Sequence, residues 1–228
     1  MIKLKTLDIR GFNPAIHGMR NPKNSWDRSD SHFAPDCGEF ECFDECFEIG
    51  QNDMKLAKTL ASAGSVHAKY RRMMVVWVDI TAPLYWWKEF DTYKVGTVAN
   101  SCSTMHKIAA KPFEIADFSY DHLGYGEDGW NYMGVLDIVV DVLNKARESY
   151  LLAKVKPMKE EAKRAERVKF YWWQMIQLLP SSYNQRRTVM LNYEVLANIC
   201  KYRRGHKLDE WREFIEWARK LPYAELFL

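Results

Sequence analysis

Apolar residues stand at Met133, Leu136, Val140, Leu143 and Ala146. Steps of three and four return to one side of an α-helix, so this stretch reads as a long amphipathic helix that must bury its stripe against a partner. The next segment, 158–179, is the natural partner. It begins with Lys159, Glu160, Lys163, Arg164, Glu166 and Arg167 and ends in aromatics and Leu178-Leu179 before Pro180. This pattern predicts a helix whose solvated face carries i,i+4 pairs such as Glu160–Arg164.

Strand signals lie elsewhere. Ile2–Ile9 alternates like a strand, and Arg72–Ile80, RMMVVWVDI, is rich in β-branched and aromatic residues, as expected of a mostly buried strand. Pro83 suits the first turn of a helix running to about Lys94. Gly11, Pro14, Gly18, Pro22, Pro35 and Gly38 predict a loop-rich stretch with little helix. Asn52–Ala63 reads as a helix capped by Asn52 or Asp53 and stopped at Gly64. A loop is expected over Gly96–Tyr125, and two helices, about Arg186–Tyr202 and Leu208–Lys220, follow Pro180. There is no internal repeat and no low-complexity tract.

With 228 residues and 47% hydrophobic content, the chain can bury a sizeable core, and a single domain over 1–228 is expected. Thirty-three basic against 30 acidic residues give no basic excess of the kind that nucleic acid selects, and the bases of Lys154–Lys169 are interleaved with acids, so nucleic acid is not an expected partner. Met1–Arg10 has no apolar signal core, no apolar run reaches the roughly 20 residues of a membrane span, and five cysteines is an odd count. A soluble, reduced, cytoplasmic protein with no membrane contact is expected. Cys37, Cys42 and Cys46, with His32 nearby, lack the paired C-x-x-C spacing of zinc sites, and no metal is expected.

The chemistry-bearing stretch is 179–211, LPSSYNQRRTVMLNYEVLANICKYRRGHKLDEW. A helix within it carries Asn192, Asn198 and Arg203, and puts Asn192 and Arg203 eleven residues apart, about three turns, on one face. An amide suits the mixed donors and acceptors of a flat heterocycle or a ribose, and a planar guanidinium can clamp a pyrimidine carbonyl. The same residues are also compatible with an ordinary solvent-facing helix.

Leu179, Pro180, Arg186, Asn192, Leu196, Asn198, Arg203 and Glu210-Trp211 resemble the C-terminal signature of the flavin-dependent thymidylate synthases, the ThyX family, with one extra residue in the loop 204–210. A second block has a matching order: Gly64, His67, the strand 73–79, Ala82-Pro83 and the helix to Lys94. The resemblance implies an α+β domain of ThyX-like fold, with a central mixed sheet flanked by helices, assembling as a homotetramer. It implies transfer of a one-carbon unit from methylene-tetrahydrofolate to carbon 5 of dUMP, using FAD and NADPH. On the cofactor side it assigns His67, Lys94, Thr97, Asn192 and Asn198 to the flavin. On the substrate side it makes Arg203 the catalytic arginine that binds and polarises the pyrimidine base. No protein nucleophile is needed, in keeping with the lack of a Cys/His or Ser/His/Asp arrangement.

The family's signature loop is altered here. Thr92-Tyr93-Lys94 replace Arg-His-Arg, Thr97 replaces the first Ser, Asn100 and Ser103 are kept, Ser101 stands for a Glu, and Met105-His106 stand for the final Arg-Tyr. One phosphate arginine is therefore absent, and the second falls near Ile176-Gln177. Two lost charge-assisted bonds amount to about 3–6 kcal/mol of phosphate binding, so the nucleotide half of the site is expected to be rewritten. Ser101, Ser103 and Arg186 remain substrate-side candidates, and Arg71, Arg72, Arg187 and His106 could rebuild an anion site. Glu89 replaces a Gln and could accept from the exocyclic amine of a cytosine-type base, which points to dCMP as an alternative substrate. Arg20 and Ser25 lie where the family has a flavin-touching element. Three readings stay open: thymidylate synthesis, a relative acting on another pyrimidine nucleotide, and a non-catalytic binding or assembly homologue.

Overall fold

Strand β1 (Lys3–Arg10) opens the computed structural model, which describes residues 2–34, 46–157 and 160–228. Gly11 then turns the chain at φ +99°, where an added Cβ would lie 2.0 Å from the Met73 carbonyl oxygen, and helix α1 (Phe12–Arg20) follows. The expectation of little helix in this stretch is thus corrected. Pro14 falls in the first helical turn, where a missing N–H costs nothing. Phe12, Ala15, Ile16 and Met19 form a buried stripe at helical spacing, and Phe12 meets Tyr193 and Tyr223 edge-on at 5.8 and 5.2 Å.

Short strands β2 (His32–Phe33) and β3 (Phe47–Glu48) pair antiparallel. Helix α2 (Gln51–Ser62) comes next, close to the expected span. Its cap is not Asn52 or Asp53. The Asp30 carboxylate, some twenty residues upstream, accepts from the N–H groups of both, doing from outside what a local cap does. That leaves Asp53 buried, with Oδ1 accepting from Arg20 Nε at 2.6 Å.

Strand β4 (Val75–Pro83) is the expected buried strand, with Val76, Val78, Ile80 and Ala82 fully buried, but it runs through Pro83. The following helix α3 (Leu84–Phe90) is therefore shorter than expected. Within the expected loop lie strand β5 (Thr97–Ser101) and the one-turn helix α4 (Thr104–Lys107). The long helices are α5 (Tyr132–Val155) and α6 (Glu161–Leu178). Strand β6 (Asn184–Asn192), helix α7 (Tyr193–Tyr202) and helix α8 (Asp209–Ala218) end the chain.

The β6 assignment overturns the first half of the predicted helix Arg186–Tyr202. Val189 and Leu191, two apart, are fully buried, which is strand periodicity. The four-stranded sheet has the order β1-β4-β6-β5; it is antiparallel and flanked by helices, so the expected α+β architecture is present. Across it, Thr188 Oγ1 donates to the buried Asp79 carboxylate at 2.6 Å.

The chain divides into two units. The sheet unit comprises Ile2–Ile80, Phe90–Asn100 and Arg187–Leu228; the helical unit comprises Thr81–Glu89 and Ser101–Arg186. In the helical unit α5 packs on α6 as expected: Leu136, Val140, Leu143 and Ala146 bury against Met175, Phe113 and Phe118. Among the described residues, no helix is long and apolar enough to cross a membrane.

Candidate functional site

In the sheet unit, Arg203 is the residue at which α7 ends. Its Nε donates to the Tyr93 hydroxyl at 3.0 Å, and its guanidinium carbon lies 4.8 Å from the Trp211 ring centroid and 5.6 Å from that of Tyr93. Trp211 is fully buried, stacked near-parallel on Phe90 and edge-on to Phe214, so it is an immobile plate. A guanidinium held over such a face has lost most of its rotamer freedom before any ligand arrives. Tyr93, noted in sequence only as the replacement of a histidine, is half of this clamp.

Asn192 lies at the other end of α7, not on a shared helical face with Arg203. It is the helix cap: its Oδ1 accepts from Val195 N at 3.0 Å. The eleven-residue spacing therefore spans a strand end and a ten-residue helix, about 15 Å along the axis at 1.5 Å per residue. The buried Asn192 amide nitrogen faces Gly96, at which an added Cβ would lie only 2.5 Å away. Gly96 has φ +82°, and the turn closes with Thr97 N donating to the Lys94 carbonyl. Lys94 is exposed, while the Thr97 Oγ1 is buried with no hydrogen-bond partner among the described residues. Lys94, Thr97 and Asn192 are thus gathered around one tight turn.

Asn198 points elsewhere. Glu194, Asn198 and Lys201, at helical spacings of four and three, share a face of α7 that lines a cleft of about 410 Å³ together with Ser65, Arg71, Arg204 and Arg219. His67 is exposed, just beyond Ser65, with its N–H donating to the Gly64 carbonyl. Of the cations considered in sequence as replacement anion ligands, Arg71 does line this cleft. Arg187 instead pairs with Asp91 at 2.8 Å. Lys201, Arg204 and Arg219 went unremarked in the sequence; only the helical spacing from Asn198 to Lys201 could have signalled any of them. Arg20 is buried and bonded to Asp53 and to the Ser25 carbonyl, a structural role for the upstream flavin candidate.

The remaining candidates belong to the helical unit. Glu89 is half-buried on α3. Ser101 ends β5 and is exposed; Ser103 caps α4 through its Oγ, which accepts from His106 N at 3.2 Å. Arg186 is exposed, and its carbonyl accepts from Cys102 N at 2.9 Å. Cys37 and Cys42 lie outside the described residues, and Cys46 is half-buried. Among the cysteines described, burial pushes the Cys200 thiol up to about 11.

No protein-family model matches this sequence, and no curated protein matches it. Solved structures do. A crystal structure of ThyX from Helicobacter pylori with FAD and dUMP aligns at TM-score 0.64 and 15% identity, over 100% of this chain and 97% of that one. A second structure of ThyX from the same organism, also complexed with FAD and dUMP, aligns at TM-score 0.64 and 16% identity, over 99% and 97%. At this identity the likeness shows the fold.

Proposed function

We propose that this chain is a flavin-dependent enzyme of the thymidylate-synthase type, a single ThyX-like domain that transfers a one-carbon unit from methylene-tetrahydrofolate to carbon 5 of dUMP or a related pyrimidine nucleotide, with FAD as cofactor and NADPH as reductant. What supports this most is the likeness of fold along the whole chain to proteins crystallised with FAD and dUMP.

The residues present fit a flat cofactor. The Thr97 hydroxyl is buried without a hydrogen-bond partner among the described residues, and it sits at the turn where the Asn192 amide packs against Gly96. Lys94, Thr97 and Asn192 at the turn, and Asn198 and His67 at the separate cleft, would hold different parts of the flavin, which when bound supplies the hydride that completes the transferred group. Arg203 binds the pyrimidine and stabilises negative charge on its carbonyl; held on Trp211 and Tyr93, it needs no reorganisation to do so. By the family resemblance, Glu89, Ser101, Ser103 and Arg186 would be the nucleotide's ligands. Glu89, standing where the family has a Gln, is what favours a second reading, a cytosine-type substrate such as dCMP. The homotetramer is taken from the family resemblance, and exposed apolar residues on α5, among them Ile138, Leu152 and Val155, are candidates for a contact surface. We place the protein in the cytoplasm.

Purification is the first test. A yellow protein with flavin absorbance is expected; a colourless one that ignores added FAD would sink both enzymatic readings and leave a binding or assembly protein. Tritium release from carbon-5-labelled dUMP against labelled dCMP separates the substrates, and silence for both rejects each.

A further inference from the structure

The cleft between α7, α8 and the segment after α2 gathers four cationic side chains. Arg71, Lys201, Arg204 and Arg219 line it, against the side-chain carboxylate of Glu194, and the last residue, Leu228, with its α-carboxylate, is also in the lining. The C-terminal ends of α7 and α8, each equivalent to about half a negative charge, offset part of the charge of these cations. Arg219 is shared with the exposed Glu216 at 2.6 Å. No carboxylate among the described residues pairs with Lys201 or Arg204.

The one internal pair is poorly made. Arg71 Nη1 stands 3.5 Å from Glu194 Oε2, beyond the 2.7–3.2 Å of a good N–H···O bond. Both the Arg71 Nε and the Glu194 Oε2 are buried with no hydrogen-bond partner among the described residues. A buried guanidinium donor left open at the wall of a cation-rich cleft is costly unless an acceptor arrives.

From this we infer that the cleft is a phosphoryl-anion site. It would hold the phosphate or diphosphate of a nucleotide-type ligand through Arg71, Lys201, Arg204 and Arg219, with Asn198 as a neutral donor. Planar guanidiniums take phosphate oxygens bidentately, and a multiply charged phosphoryl group matches several cations better than one carboxylate would. Buried Ile215 and Phe227 also line the cleft and give it an apolar part for the rest of an ester. Only the identity of that ester rests on the proposed flavin and nucleotide chemistry; the anion site does not.

Isothermal titration of the full chain with inorganic pyrophosphate tests the inference, at constant ionic strength set by potassium chloride. Saturable binding is expected, together with a raised thermal midpoint. K201Q/R204Q, both at exposed positions, should weaken binding by about 100-fold, about ten-fold for each charge-assisted contact. K163Q, an exposed cation of α6, should not. Absence of binding beyond that of chloride, or undiminished binding in a folded K201Q/R204Q, would overturn the site. Competition then names the source. Displacement of pyrophosphate by FAD but not by riboflavin assigns the cofactor's diphosphate, and displacement by dUMP or dCMP assigns the substrate's phosphate. Pyrophosphate binding that none of these displaces keeps the anion site and counts against the flavin and nucleotide reading.

Discussion

Asp53→Asn probes the most heavily bonded carboxylate of the sheet unit. Asp53 is fully buried, and its two oxygens accept from Arg20 Nε, Ser29 Oγ, Asp30 N, Ser31 N and Ser31 Oγ. Burial raises its pKa, but the hydrogen bonds from Ser29, Ser31 and Arg20, with the guanidinium charge, outweigh that and hold it below 3.8. Asparagine keeps the shape but turns one acceptor into a donor facing donors, and it leaves the charge of Arg20, itself 5% exposed, without its counter-ion. Removing one partner of a buried pair costs about 3–5 kcal/mol. With an unfolding entropy of about 2.1 cal/mol/K per residue over this chain, or about 0.5 kcal/mol/K, the melting temperature should fall by about 6–10 °C. Circular-dichroism melts at neutral pH measure this. The pH dependence adds a second check. Because the folded pKa is depressed, the stabilisation is present above 3.8 and is lost as pH falls through the folded value. The gap between wild type and D53N should therefore narrow only below about pH 4. A drop under about 2 °C at neutral pH, or a gap that stays constant in acid, would refute the reasoning.

Three further outcomes follow from the site. R203Q should lower turnover by about 10²- to 10³-fold while flavin content stays unchanged, and R203K should not restore it, since an ammonium lacks the planar fork that rests on Trp211; equal loss of flavin would make Arg203 a cofactor ligand instead. G96A should cost about 1–3 kcal/mol and release flavin, because it forces a side chain into φ +82° and against the Asn192 amide; a holoprotein of unchanged melting temperature would contradict the crowding. Alkylation at pH 8, followed by peptide mass mapping, should modify the exposed Cys102 well before Cys200, whose thiol sits near 11 and so is about a thousandth ionised; equal rates would show that the cleft side of α7 opens readily.

How far residues announce their structure depended here on whether the deciding contact was local. The α5–α6 pair was legible because a helix of that length exposes its period within its own sequence, and β4 because a buried strand is nearly all apolar. Helix α1 was not, because Gly11, Pro14 and Gly18 are local breakers; a stripe that meets Tyr193, some 180 residues away, overrode them. At the β6–α7 junction the local signal existed and was outvoted. Asn192 with Glu194 two residues on is a helix start, and reading one there would have ended the strand at Asn192. The same division runs through the candidate site. Asn192 and Arg203 were found as residues, but their shared face was an artefact of carrying helix through a strand; the pair brackets α7 rather than lining one side of it. Asn198 was assigned with them, yet it turns the other way, towards Arg71 and Arg219, which reach it from before β4 and from the end of α8. No spacing rule links three such segments. It is the sheet, by placing β4 beside β6, that brings the residues before β4 up to α7: Tyr193 N donates to the Met74 carbonyl at that point. An anion site assembled in this way can be built from different sets of arginines without leaving a motif, and the absence of arginines from one loop is by itself no evidence against phosphate recognition.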